Sequence, residues 1–212
     1  MILKRNNLLS ILLLAILLVM IPQVSAFAEN APSNSEDTPT TGFEDRNGYG
    51  WTTLAEEASF LEEVAALSER VIYSEIGTTV EGRPMNLVRI GFPEPPSNED
   101  IAEGRNMLVI GSQHGNEPAG REMALQLLRD LAFTEDQELI ELLQESTLLI
   151  IPTANPDGRV RDWRFNAERV DLNRNFLNIS TPESRAISEV MGYYGPDIII
   201  VAHIGMKNQR RN

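Results

Sequence analysis

The amino-acid sequence predicts an α/β sandwich whose central sheet is largely buried. Three short apolar runs carry this prediction, at residues 107–110, 148–151 and 197–201. Each run has the length of a strand but lacks the alternation of apolar and polar residues that marks a strand with one solvent-exposed face. This is typical of strands that are covered on both sides. Stretches with helical spacing lie between the runs, and strands that alternate with helices are the pattern of α/β folds.

The first 28 residues have the features of a secretory signal peptide. A short basic start precedes an apolar run from Leu8 to Ile21, and small residues near Ala26 and Ala28 offer a cleavage site. The alternative is a retained membrane anchor, but the run is shorter than the roughly 20 residues that a bilayer span needs. We therefore expect cleavage, a secreted (extracellular) protein and no stable membrane span afterwards.

The remainder of the chain divides into a lead-in and one domain. Residues 29–50 are rich in Asn, Ser, Thr, Pro and acidic side chains, which predicts a disordered segment. Residues 51–212 are then predicted to form a single domain. Their length is sufficient for one hydrophobic core.

The elements of that domain follow from capping residues and hydrophobic spacing. Thr53 and Glu56 form a capping-box pattern in front of a helical repeat, and Thr181 followed by Pro182 is a typical helix start. Helices are predicted at residues 54–69, 118–131, 134–143 and 181–192, strands at 71–76 and 85–90 in addition to the three apolar runs, and a Pro- and Glu-rich loop at 92–105.

Composition limits the chemistry that this domain can perform. The formal net charge is −13, so nucleic acid is not expected as a partner, because its phosphates would be repelled. The chain has no cysteine, and any metal site must therefore use His, Asp or Glu.

A candidate metal site is built from His114, Glu117 and His203. His114 and Glu117 are three residues apart in a loop that follows a predicted strand, and His203 follows the last predicted strand. Two histidines and one carboxylate, with water in the fourth position, are a catalytic zinc pattern. The His-x-x-Glu motif is weak by itself, however, and two unrelated histidines in the core would produce the same sequence.

Two further blocks make the pattern specific. Asn155-Pro156-Asp157-Gly158 is followed by a segment from Arg164 to Phe176 that contains Asp171-Leu172-Asn173-Arg174-Asn175-Phe176. Together with the His-x-x-Glu loop and the strand that ends at His203, these blocks resemble the zinc carboxypeptidase family of the carboxypeptidase A and B type. The resemblance covers residues 51–205, and the spacing is similar to that of the shorter bacterial branch. It implies a three-layer sandwich with a mixed sheet, of which this chain would hold an incomplete part.

The resemblance also implies a role for each matching residue. His114, Glu117 and His203 would bind Zn²⁺, Asp171 would orient the first zinc histidine, and Arg164 would polarise the scissile carbonyl. Asn173 and Arg174 would bind the terminal carboxylate of a peptide substrate. A planar guanidinium can bind a carboxylate in bidentate fashion, which lysine cannot do. The neighbouring arginines, Arg159, Arg161 and Arg169, are expected to be solvated, and Asn155 and Pro156 are expected to form turn architecture.

The sequence departs from the family pattern towards its C-terminus. Ile204 stands where relatives carry a small or polar residue or Glu, and the tail 207–212 differs in composition from what precedes it. The family's closing tyrosine and general-base glutamate, which lie downstream of the second zinc histidine, have no counterpart here. We therefore expect a chain truncated at its C-terminus, by an early stop or a frameshift, and inactive or impaired in turnover.

Three functions remain open at this point. The first is a secreted zinc metallocarboxypeptidase that removes C-terminal residues from peptides. The second is a non-catalytic module that binds zinc and a peptide terminus. The third is a zinc-dependent deacylase or amidase on the same scaffold, which the pair Asn173 and Arg174 makes less favourable, because it suits a peptide carboxylate.

Overall fold

A five-stranded mixed sheet crosses the part of the chain that the computed structural model describes, residues 38–203. The strands are β1 (Val71–Thr78), β2 (Pro84–Ile90), β3 (Asn106–Ile110), β4 (Thr147–Ile151) and β5 (Ile198–Val201). Their order in the sheet is β1-β2-β4-β3-β5. β1 and β2 form an antiparallel hairpin, and β2 is also antiparallel to β4.

The three predicted apolar runs form the parallel part of the sheet. β3 lies between β4 and β5 and is parallel to both. In this register Ile110, Ile151 and Val201 lie side by side at the ends of their strands. The chain therefore leaves all three strands at the same edge of the sheet, where the ligand sites of open α/β sheets are found.

Helices cover both faces of the sheet. In chain order they are α1 (Gly42–Asp45), α2 (Leu54–Leu67), α3 (Asn98–Glu103), α4 (Ala119–Ala132), α5 (Gln137–Glu145), α6 (Pro156–Val160) and α7 (Pro182–Tyr194), with a 3₁₀ turn at Leu172–Arg174. Between residues 38 and 203, none of them is long and apolar enough to span a membrane.

The hydrophobic core consists of two layers, one on each face of the sheet. Val109 of β3 packs with the layer that includes Phe60 of α2 and Leu125 of α4. Its neighbours Leu108 and Ile110 pack with the layer that includes Ile187 of α7. Because both faces are covered there, β3 and β4 show no polar alternation over residues 107–110 and 148–151, and the architecture confirms the predicted three-layer α/β sandwich with a largely buried, mixed sheet.

Residues 38–50 differ from the sequence prediction. The disordered lead-in was predicted for 29–50, but Thr41 caps α1 with a full capping box, and Glu44 of that helix pairs with Arg129 at 2.7 Å. The ring of Phe43 stacks on Trp51 at 4.9 Å between centroids. These contacts fold the segment onto the domain, so the folded region begins before residue 51. Residues 29–37, and the predicted signal peptide at 1–28, lie outside the described residues.

A second difference is α3, which lies inside the predicted loop 92–105. The Ser97 hydroxyl caps this helix by accepting the Asp100 N–H at 3.2 Å. Ile101 is 1% exposed and packs in the same core layer as α7. One buried residue in a short polar segment gives no periodic signal, which explains why the sequence pattern does not reveal the helix.

Candidate metal centre

The parallel pairing of β3 and β5 brings His114 and His203 together. Ala202 donates its N–H to the Ile110 carbonyl at 3.0 Å, which continues the ladder to the residue before His203. A Cβ on Gly120 would lie 2.6 Å from the Ala202 carbonyl oxygen, so a glycine at this position allows the first turn of α4 to approach the end of β5. The two imidazole rings consequently lie 4.7 Å apart between centroids.

The loop between β3 and α4 turns sharply to bring Glu117 back towards His114. The Glu117 N–H donates to the His114 carbonyl at 3.0 Å, and the Ser112 hydroxyl donates to the Glu117 carbonyl at 3.2 Å. Ser112 has a φ of 40°, which is an uncommon conformation for a residue with a side chain. The turn places both predicted ligand side chains on the same side of the loop.

Three potential ligand atoms form a small triangle. His114 Nδ1 lies 2.9 Å from Glu117 Oε2, and His203 Nδ1 lies 3.0 Å from the same oxygen and 3.1 Å from His114 Nδ1. Ligand atoms in tetrahedral positions about 2.0–2.1 Å from a zinc ion would be about 3.3 Å apart. The triangle is therefore close to the size that three tetrahedral zinc ligands require.

Proton assignment supports the same fit. His114 Nε2 lies 3.0 Å from Asp171 Oδ1, and a carboxylate only accepts hydrogen bonds, so we place the ring proton on Nε2. In a neutral ring, His114 Nδ1 then presents a lone pair to the carboxylate oxygen of Glu117. One proton on His203 Nδ1 cannot make a full hydrogen bond to both His114 Nδ1 and Glu117 Oε2. It also leaves these two acceptor atoms in close contact with each other. A divalent cation would satisfy all three, so the residues present fit a zinc ion.

Asp171 joins the histidine to Arg164. Its Oδ1 contacts His114 and accepts the Asn173 N–H at 3.0 Å, while its Oδ2 accepts Arg164 Nε and Nη2 at 3.1 and 3.0 Å. Arg164 Nη1 is also 3.7 Å from Glu117 Oε1, and the arginine side chain is 37% exposed. The guanidinium is thus oriented beside the ligand triangle while one of its edges remains open to solvent.

The neighbouring side chains keep both carboxylates ionised. Burial by itself would raise the pKa of Glu117, but the neighbouring imidazoles of His114 and His203 outweigh it and hold that pKa below its usual range. For Asp171, the effect of burial is likewise outweighed by hydrogen bonds with His114 and Arg164, and its pKa is also lowered. Both groups are therefore ionised at neutral pH, as a metal ligand and its orienting carboxylate must be.

Asn173 and Arg174 lie near this cluster but not in it. Asp171 caps the 3₁₀ turn that contains them. Arg174 is exposed, and its Nη1 donates to the Asn173 carbonyl at 3.2 Å. Among the described residues, neither side chain has a hydrogen bond with the three candidate ligands. The structure thus brings together His114, Glu117, His203, Asp171 and Arg164, and leaves the predicted carboxylate-binding pair beside them.

The Asn155-Pro156-Asp157-Gly158 turn supports both halves of the site. The Asn155 side chain caps α6 by accepting the Gly158 N–H at 2.9 Å, and its Nδ2 donates to the carbonyls of Gln113 and Arg164. One buried amide therefore connects the residue before His114 to Arg164. Asp157 is fully buried and accepts the Thr79 hydroxyl at 2.8 Å, which fixes the turn to the β1–β2 hairpin.

Arg159 differs from its sequence prediction. It was expected to be solvated, but its side chain is 14% exposed and its Nη1 donates to the Gly115 carbonyl, inside the His-x-x-Glu loop. Arg161, by contrast, is 40% exposed and pairs with Glu81, and Arg169 is exposed as well. The position of Arg159 directly after the Gly158 turn is the one sequence signal that could have distinguished it from its neighbours.

A family comparison agrees with the site. Residues 57–195 match a family model that is described as zinc carboxypeptidase. The chain belongs to the zinc carboxypeptidase family. The matched span contains His114, Glu117, Arg164 and Asp171 but ends before His203.

Individual relatives show how much of a carboxypeptidase the chain covers. It is 39% identical over 122 residues to carboxypeptidase E of Caenorhabditis elegans, an alignment that covers 50% of this chain and 25% of that protein. Among solved structures, it resembles the metallo-carboxypeptidase of Burkholderia cenocepacia (30% identity, TM-score 0.62, covering 71% of this chain and 40% of that chain). It also resembles the metallo-carboxypeptidase of Pseudomonas aeruginosa, solved in complex with (2-guanidinoethylmercapto)succinic acid (29% identity, TM-score 0.60, covering 71% and 39%). The chain therefore spans well under half the length of these zinc carboxypeptidases.

Proposed function

We propose that this chain carries the metal-binding part of a secreted zinc metallocarboxypeptidase, which hydrolyses the C-terminal bond of peptides. The observation that supports the proposal most strongly is the triangle of His114 Nδ1, Glu117 Oε2 and His203 Nδ1, with edges of 2.9–3.1 Å. These three residues would hold Zn²⁺. A zinc ion bound there would polarise a carbonyl group and acidify a bound water molecule.

Arg164 is the residue that we assign to the reacting carbonyl. Asp171 binds its Nε and Nη2, which fixes the plane of the guanidinium and leaves Nη1 beside the ligand triangle. Donors that are fixed in advance at the point where negative charge develops stabilise a transition state more than mobile ones do. The role of Asp171 is then to orient both His114 and Arg164.

The peptide terminus is the partner that we assign to Asn173 and Arg174. The guanidinium of Arg174 is exposed at the 3₁₀ turn that Asp171 begins, and a guanidinium can bind a carboxylate through two parallel hydrogen bonds. The P. aeruginosa relative was solved with a succinic acid derivative, a compound with carboxylate groups. This likeness supports a substrate with a free C-terminal carboxylate. The predicted signal peptide supports an extracellular location.

A second candidate is a zinc and peptide-terminus binding module with little or no turnover. Within residues 38–203, the carboxylates that contact the cluster are Glu117 and Asp171, and both are already engaged. Glu117 Oε2 lies 2.9 and 3.0 Å from Nδ1 of the two histidines, and Asp171 bonds to His114 and Arg164. General-base catalysis requires a carboxylate or another base that is free to accept a proton. Neither of these two side chains is free in that sense.

Metal analysis and a hydrolysis assay distinguish these candidates. We expect about one zinc per chain, and chelator-sensitive release of the last residue from blocked dipeptides if the chain is an enzyme. The matched substrate control is the same dipeptide with a C-terminal amide, which Arg174 could not bind as a carboxylate. The matched variant is Arg164→Met, which should lower kcat by about 10²–10³-fold with zinc retained.

The possible results distinguish between the candidate functions. Zinc and dipeptide binding without turnover would support the binding module. Faster cleavage of a short N-acyl amino acid than of the blocked dipeptide would support a deacylase or amidase instead. A folded chain that retains no zinc at stoichiometric concentration would contradict all three functions.

A further inference from the structure

Arg159 lies against the loop that carries two of the candidate zinc ligands. Its side chain is 14% exposed, which is low for an arginine, and its Nη1 donates to the carbonyl of Gly115. The same nitrogen lies 3.1 Å from Asp162 Oδ1, on an exposed side chain. The guanidinium is thus held between a backbone carbonyl of the metal loop and a surface carboxylate.

The backbone around this contact is packed unusually closely. A Cβ on Gly115 would lie 1.9 Å from the carbonyl carbon of Gly158 and 2.3 Å from the amide nitrogen of Arg159. The loop therefore rests directly on the first turn of α6, and a glycine is required at the point of contact. Arg159 adds a side-chain hydrogen bond from the same turn to the same peptide group.

Gly115 is placed where a small rotation would move both ligands. It follows His114 directly and precedes Glu117 by two residues, inside the turn that the His114 carbonyl closes by accepting the Glu117 N–H. A rotation of the peptide group at Gly115 would change the direction of both side chains. A hydrogen bond to its carbonyl opposes that rotation.

We infer that Arg159 is a positioning residue for the metal centre, which fixes the His114–Glu117 loop through the Gly115 carbonyl so that both ligand atoms point at one ion. This inference rests on the proposed function, because it assumes that Zn²⁺ binds these residues. Arginine suits the role since its fork offers several donors in a fixed plane, whereas the ammonium of lysine behaves as a point charge. The pairing with Asp162 offsets the positive charge that Arg159 would otherwise bring close to a cation.

Two opposing effects can be separated by experiment. If Arg159 acts mainly by holding the loop, its removal weakens zinc binding. If its charge mainly repels the ion, its removal strengthens zinc binding. The test is the zinc dissociation constant of the full chain, measured by competition with a chromogenic chelator, for wild type, Arg159→Met, Arg159→Lys and Arg161→Met.

Arg161→Met is the matched control. It removes the same charge two residues away, from a side chain whose partner is Glu81 of the β1–β2 hairpin and not the metal loop. We expect Arg159→Met to weaken zinc binding by about tenfold or more, as the loss of residues that orient metal ligands commonly does, and Arg161→Met to bind as wild type does. Arg159→Lys, which retains a donor, should recover part of the loss.

The visible spectrum of the Co²⁺-substituted protein provides a second readout. Tetrahedral Co²⁺ absorbs strongly and six-coordinate Co²⁺ weakly, so a loosened loop should reduce the absorbance of the folded, cobalt-loaded Arg159→Met chain. A purely structural role would lower thermal stability and leave this spectrum unchanged. Where Arg159→Met does not fold, Arg159→Gln, whose amide is too short to reach the carbonyl, is judged by the same criteria.

Three results would overturn the inference. They are zinc binding by Arg159→Met as tight as that of wild type or tighter, a wild-type cobalt spectrum in that variant, and a lysine variant that recovers no affinity. A wild-type chain that fails to bind stoichiometric zinc would instead contradict the proposed function, so the two failures are distinguishable.

Discussion

The two histidines of the candidate metal centre are held by very different surroundings. The side chain of His114 is 2% exposed, and both ring nitrogens have partners, Glu117 on one side and Asp171 on the other. Its loop follows β3, which is paired on both sides, and rests on α6. Little freedom remains for this ligand to move.

His203 reaches the same point from a much looser region. Within residues 38–203, β5 pairs with β3 only, and Ile199 in its middle is 39% exposed. The His203 side chain is 33% exposed, and its hydrogen bonds are made by Nδ1 to His114 and Glu117. The comparison indicates that one part of the site is built by the fold before any metal binds, while the other part is positioned mainly by its contacts with the first.

Removing each histidine in turn should give the largest and most unequal effects. We expect His114→Ala to weaken zinc binding by more than about 100-fold, which exceeds the usual effect of losing a group that only orients a ligand. The substitution removes a ligand, and it also leaves Glu117 and Asp171 without their shared partner. His203→Ala should cause a smaller loss. Added imidazole should partly restore zinc binding to His203→Ala, whose missing ring was accessible, and not to His114→Ala, whose missing ring was buried.

Chelator competition with and without imidazole measures both effects. Because free imidazole also binds zinc, the response of each variant to imidazole is compared with that of the other variant. Equal losses, with equal rescue by imidazole, would show that the two sides of the site are equivalent and that the comparison is wrong.

The sequence predicted the central layers of the fold well, for a simple physical reason. Residues 148–151 are apolar at every position, and a short apolar run of that length is typical of a strand covered on both faces. β4 is buried throughout, as expected.

The parts that the sequence did not predict depend on contacts between distant residues. The segment 38–50 was predicted to be disordered from its composition, yet the ion pair of Glu44 with Arg129 links residues 85 positions apart. No local pattern contains that information. Ile101 in α3 is a similar case, since a single buried side chain has no period.

The features of the candidate site likewise divide into those that the sequence predicts and those that depend on contacts between distant residues. The types and spacing of His114, Glu117 and Asp171 follow from the motifs. The contact of Arg159 does not, because it depends on how closely the backbones of Gly115 and Gly158 approach each other. Residue identity can be read from a motif, whereas a close approach of two loops requires coordinates.

Substitution of Gly115 tests whether a backbone contact holds the loop that carries His114. Gly115→Ala would place a Cβ 1.9 Å from the Gly158 carbonyl carbon, so the loop must shift. We expect a destabilisation of about 1–3 kcal/mol, as for other overpacked sites, together with weaker zinc binding. Urea unfolding of the zinc-free protein and chelator competition measure the two effects.

Gly192→Ala is the matched control for Gly115→Ala. Gly192 lies in α7, and a Cβ there would meet nothing within 4 Å. Because alanine is the better helix former, this variant should gain about 0.5–1 kcal/mol and bind zinc as wild type does. A Gly115→Ala chain as stable as wild type, with unchanged zinc binding, would mean that the loop is not fixed by this contact.

The smallest expected effect is the pH dependence of the free energy of unfolding that Asp171 contributes. The folded-state pKa of Asp171 is lowered, because hydrogen bonds with His114 and Arg164 outweigh the effect of burial. A carboxylate whose pKa is lower when folded than when unfolded stabilises the fold above its unfolded pKa, about 3.9 for Asp. That stabilisation is lost as the pH falls through the lower folded pKa.

Asp171→Asn should therefore reduce the unfolding free energy of the zinc-free chain by about 1 kcal/mol at pH 7, and by progressively less below about pH 4. Urea unfolding across this pH range measures the difference. Asp130→Asn is the control, since Asp130 lies on α4 with its side chain 64% exposed and is not in contact with the metal cluster. A difference between wild type and Asp171→Asn that grew as the pH fell below about 4 would contradict the assigned sign, and Asp171 would then not be the ionised anchor that holds His114 in place before a metal binds.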